Sequence, residues 1–134
     1  MMRSWAVVGI ACLLASQLAE AENATAVISG TTEESQVSGT ATLTDSPEGL
    51  TVRITVAGVS PGQHGVHIHQ YGRCDDEGRA AGGHYNPMGV KHGFLPMDGF
   101  THAHAGDFGN IDVRADGVGT LELTIPGLSL AGAR

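Results

Sequence analysis

Val37-Ser38-Gly39-Thr40-Ala41-Thr42-Leu43-Thr44, the linker Asp45-Ser46-Pro47-Glu48-Gly49 and Leu50-Thr51-Val52-Arg53-Ile54-Thr55-Val56 decide the fold. Val37, Gly39, Ala41 and Leu43 share one face of an extended chain, and Ser38, Thr40, Thr42 and Thr44 share the other. Leu50, Val52, Ile54 and Val56 repeat the period of two, and the linker has turn chemistry at hairpin spacing. Upstream, Ala26, Ile28 and Gly30 alternate with Val27 and Ser29, which predicts a strand from Ala24. No helical period survives for three turns between Ala24 and Val59. Downstream, Ser60-Pro61-Gly62 is expected to end the third strand and Val66 to Tyr71 to form a fourth. A glycine-rich stretch follows from Gly72 to Gly106, and so long a loop in a small domain is usually functional. Asn110 to Arg114, the turn Ala115-Asp116-Gly117 and Val118 to Ile125 complete a set of six antiparallel strands, which predicts a β-sandwich or barrel.

The chain has 134 residues, enough for one domain. Seven Lys and Arg against 14 Asp and Glu give a net charge of −7, which argues against nucleic acid as a partner. Arg3, the apolar run Ala6 to Ala15 and the small-residue pattern Ala19-Glu20-Ala21 predict a secretory signal peptide over residues 1–21. Ten apolar residues are too few to span a bilayer, so no membrane span is expected. The mature domain is then 22–134, exported to a periplasm or an extracellular space. Cys12 leaves with the leader, and Cys74 remains as a lone thiol, which is unusual in an oxidising compartment.

All seven histidines lie between His64 and His104. His67 and His69, two apart on a predicted strand, project from one face and can reach one ion. An all-nitrogen set of this kind suits copper, whose Cu(II) state favours tetragonal nitrogen coordination. His84, His92, His104 and Asp107 supply three imidazoles and a carboxylate, a closed tetrahedral set suited to zinc. His102 competes with His104 for that role and ranks second. His64 falls on the opposite face of the strand and is read as a histidine hydrogen-bonded beneath the loop.

Gly65-Val66-His67-Ile68-His69, Gly83-His84-Tyr85-Asn86-Pro87, Lys91-His92-Gly93 and His104-Ala105-Gly106-Asp107-Phe108-Gly109-Asn110 resemble the copper/zinc superoxide dismutase family, in its order and over nearly the whole mature chain. The resemblance implies a Greek-key β-barrel with about six of its eight strands present. It implies copper on His67 and His69, His84 bridging copper and zinc as an imidazolate, and zinc completed by His92, His104 and Asp107. It also implies disproportionation of superoxide to dioxygen and hydrogen peroxide, with His67, His69 and His84 as the catalytic residues. A homodimer is compatible with this reading.

The family pattern continues beyond a sixth strand with a fourth copper-ligating histidine, an anion-guiding arginine and a cysteine to pair with Cys74. No match to these follows Asp107, so the expectation is a domain incomplete at its C-terminus. The alternative reading is an exported copper/zinc-binding module without turnover. A β-sandwich adhesion domain with incidental histidines is the bland third reading.

Overall fold

The alternation around the Asp45–Gly49 turn becomes a two-stranded hairpin. In the computed structural model, which describes residues 21–133, β2 is Ser38–Ser46 and β3 is Gly49–Ala57. Ser46 pairs with Gly49 across a two-residue turn, and the Ser46 hydroxyl donates to the Gly49 carbonyl at 3.0 Å. Gly49 has φ +131, and a Cβ there would lie 2.2 Å from the Ile125 carbonyl oxygen, so only glycine fits. Apart from its Ala21 end, the expected leader lies outside the described residues.

Around this hairpin stand β1 (Asn23–Ser29), β4 (Gly62–His67), β5 (Asp107–Val113) and β6 (Gly119–Ile125). They form one antiparallel sheet in the order β1-β2-β3-β6-β5-β4. Placing β3 beside β6, with β4 and β5 beyond it, is a Greek-key connection. Residues of β1 (Ala26, Ile28) and β4 (Val66) line one apolar cavity of about 560 Å³, so the sheet curls strongly enough to bring its two ends to one concavity.

The period of two is converted directly into burial. Leu50, Val52, Ile54 and Val56 are buried, joined by Ala41, Phe108, Ile111, Val113 and Ile125. Arg53 and Glu122 pair at 2.8 Å on the opposite, exposed face.

The largest departures from the expected boundaries are in β4 and β5. β4 begins at Gly62, where a strand end was expected, and closes at His67, not Tyr71. Gly62 to Val66 pair with Val113 to Gly109, and the register then shifts between Val66 and His67. That bulge ends the ladder and turns the following residues toward the long loop. β5 likewise starts at Asp107, three residues before its expected start at Asn110, because His67 pairs with Asp107 across the bulge.

The loop also has structure of its own: a 3₁₀ turn at Arg79–Ala81 and a single-turn helix α1 at Leu95–Asp98. Pro96 suits the first turn of α1, and Leu95 anchors it in the core. β7 (Leu128–Ser129) and β8 (Gly132–Ala133) form a separate two-stranded piece, too short to leave a period in the sequence.

Candidate metal centre

Four separate segments carry the ligand-type side chains, and backbone hydrogen bonds tie three of them together. Tyr85 N–H donates to the Ile68 carbonyl at 2.8 Å, Gly106 N–H to the Tyr85 carbonyl at 2.9 Å, and Ile68 N–H to the Gly106 carbonyl at 3.0 Å. The triangle fixes His67 and His69, His84, and His104 with Asp107 relative to one another. A Cβ at Gly106 would sit 2.4 Å from the Ile68 oxygen, which explains the glycine at this crossing. Two further bonds hold the strand-like run after the bulge, from Gln70 N–H to the Gly83 carbonyl and from Tyr71 N–H to the Ala81 carbonyl. Asn86 pins the next turn by donating to the Val90 carbonyl at 2.9 Å and accepting from Val90 N–H at 3.1 Å.

Donor atoms of His84, His92, His104 and Asp107 all lie within 4.8 Å of one another. Asp107 is the hub, with its side chain 1% exposed. The Nδ1 atoms of His84, His92 and His104 stand 2.6, 3.0 and 3.3 Å from its two oxygens. Asp107 Oδ2 also accepts the backbone N–H of Gly93 at 3.0 Å and of His104 at 3.1 Å. Burial opposes ionisation of this carboxyl, but the bonds from Gly93 N–H, His84 and His104 N–H outweigh it and hold the pKa below the ordinary carboxylate value. His104 Nδ1 is buried and makes no hydrogen bond. An orphaned imidazole nitrogen facing a buried carboxylate and two more Nδ1 atoms is a costly arrangement for a protein alone. The donor set therefore fits a tetrahedral cation such as zinc.

His84 also faces the other way. Its ring stacks on His67 at a centroid distance of 4.0 Å and meets His69 edge-on at 5.4 Å. His67 and His69 are 6.0 Å apart. His69 Nδ1 donates to the Gly82 carbonyl at 2.9 Å, which fixes the tautomer and leaves Nε2 as the free donor. Loss of solvent, followed by the neighbouring His84 and His69, lowers the His67 pKa, so its ring stays neutral to lower pH than an ordinary histidine. The three rings form one cluster, but His67 lies face-to-face with His84, and stacked rings do not aim their in-plane lone pairs at a common point. All-imidazole donors suit copper once these rings turn to converge.

His64 and His102 stand apart from both groups. His64 Nε2 lies 2.7 Å from the Ser60 carbonyl, in keeping with a locally hydrogen-bonded histidine. His102 is exposed, with Nδ1 2.8 Å from the Thr101 hydroxyl. The supporting groups are the Gly82 carbonyl, the Gly93 amide, Gly106 and the Asn86 side chain. For the backbone groups only the abundance of glycine in the loop gave a hint, since they leave no residue-type signal, whereas Asn86 stood in the Gly83–Pro87 motif.

A family model described as copper/zinc superoxide dismutase matches residues 37–134. A solved structure described as the clock protein EA4 is 32% identical, with a TM-score of 0.71 over 82% of this chain. The match takes in 66% of that chain, so the present chain spans just under two thirds of its relative's length.

Proposed function

The chain belongs to the copper/zinc superoxide dismutase family, and from that premise we propose that it disproportionates superoxide to dioxygen and hydrogen peroxide at a two-metal centre organised by His84. The observation that carries this reading is the double allegiance of the His84 ring. Its Nδ1 is 2.6 Å from Asp107 in the four-residue set, while its faces and edge contact His67 and His69.

His67, His69 and His84 would hold copper, and His84, His92, His104 and Asp107 would hold zinc. Copper supplies one-electron oxidation of one superoxide and reduction of the next; zinc supplies a fixed positive charge. With Nδ1 committed to the Asp107 side, the other nitrogen of His84 is available to the His67 and His69 side. That nitrogen can hold one proton and release it to the nascent peroxide, with the second proton drawn from water, so that two superoxide anions and two protons balance one dioxygen and one hydrogen peroxide. In the metal-free chain Asp107 accepts from His84 Nδ1 at 2.6 Å and the Gly82 carbonyl accepts from His69 Nδ1 at 2.9 Å, so both rings are held at the site before a metal binds; zinc would take the place of the proton on His84 Nδ1.

Residues 1–21 read as a secretory leader, which supports an exported protein with an antioxidant role. A second reading, metal retention without turnover, is favoured by one observation: the four-residue set converges, whereas His67 stacks against His84. The chain loaded with both metals separates the two readings. Superoxide decay well above that caused by the same chain carrying zinc alone supports the dismutase, and stoichiometric metal without faster decay supports retention.

A further inference from the structure

His92 is the least secured member of the four-residue set. Its side chain is 62% exposed, against 22% for His84, 18% for His104 and 1% for Asp107. Asn86 ties down the chain before it at Val90. After it, Gly93 N–H reaches Asp107, and the next residue is Phe94. Phe94 is 43% exposed and stands outside the buried core, although its neighbour Leu95 is inside it. Its ring lies over Gly109 of β5, where a Cβ would be 2.5 Å from Cε2 and 2.9 Å from Cδ2. Gly109 has φ +89, so both the backbone and the close approach require glycine. Phe94 N–H donates to Asp98 at 2.7 Å, which joins the ring's backbone to α1. With His67, His92, Asp107 and Asn110, Phe94 walls a cavity of about 280 Å³ beside the site.

A large ring left partly in water, over a glycine kept bare to receive it, contributes little to the core and much to the placement of its own segment. We propose that Phe94 is a positioning residue: its contact with Gly109 clamps the 91–94 segment to β5 and seats His92 on the Asp107 site before a metal arrives. This rests on the metal-site reading above. A ligand already in place spares the cation the cost of ordering the loop, and supporting contacts of this kind are typically worth about 10- to 100-fold in metal affinity.

The test uses the full chain and cobalt(II) alone as the probe, following its visible absorption and the melting temperature. Phe94→Ala is expected to bind cobalt(II) about 10-fold more weakly, with a weaker or shifted tetrahedral absorption band, while the metal-free melting temperature changes little. Phe94→Tyr keeps the ring over Gly109 and is expected to restore both affinity and band. Gly109→Ala pushes the ring aside and also strains the backbone at φ +89, and both effects are expected to weaken cobalt(II) binding. Wild-type affinity and an unaltered band in Phe94→Ala, or wild-type affinity in Gly109→Ala, would overturn the clamp and leave the metal site standing. A wild-type chain that takes up no cobalt(II) would overturn the site reading itself, and the clamp with it.

Discussion

Replacing Asp107 by alanine would strand the Gly93 and His104 amides, because both N–H groups end on its Oδ2, and would remove the partner of His84 Nδ1. Each buried donor left unpaired costs about 1–3 kcal/mol, so for these two part-buried amides urea denaturation of the metal-free variant should show a loss of about 2–6 kcal/mol. The Asp107 pKa lies below the ordinary carboxylate value, so its contribution to metal-free stability is present above that value and is lost only as pH falls through the lower folded one. Between pH 7 and 5 Asp107 therefore stays ionised, and a metal must compete with protons for its nitrogen ligands. Cobalt(II) or zinc affinity, measured by titration, should fall steeply over that interval and be restored on returning to pH 7. An affinity that stays flat to pH 5 would count against imidazole ligation. The sequence showed which residue types gather here but could not separate His102 from His104 by chemistry alone. Two apart, they would share a face in a strand, but they lie in a turn, where one imidazole faces Asp107 and the other solvent.

At the level of elements, the site depends on the hydrogen-bonded triangle of Ile68, Tyr85 and Gly106 more than on any one strand. Gly106→Ala places a methyl 2.4 Å from the Ile68 oxygen, and the backbone must move to relieve it. The expected cost is about 1–3 kcal/mol in thermal or urea unfolding, accompanied by weaker metal binding as the three ligand segments separate. Gly72→Ala is the control: nothing lies within 4 Å of a Cβ there, and it should stay within about 0.5 kcal/mol of wild type. β2 and β3 were legible because one face is buried and the other is not, so the alternation in residues 37–56 carries the register. The ends of β4 and β5 were not, because the bulge between Val66 and His67 is set by pairing with a distant strand. α1 depends on Leu95 reaching the core, which four residues cannot announce by period.

For the whole molecule, the fold supplies a curled antiparallel sheet, and the site hangs on the loop between β4 and β5. No helix among the described residues is long and apolar enough to cross a membrane. Metal should stabilise the chain by mass action, because the ligands come together only in the folded state. Adding a chelator to the loaded protein should lower its melting temperature by several degrees, and restoring zinc should recover it. In the proposed two-metal centre both halves meet at the His84 imidazole, so the most direct measurement is the metal content of His84→Ala after loading with copper and zinc and exhaustive dialysis. We expect the wild-type chain to retain one of each ion, and the variant to lose copper and hold zinc at least about 10-fold more weakly. Retention of both ions by the variant at wild-type levels would contradict a shared imidazole and the chemistry assigned through it.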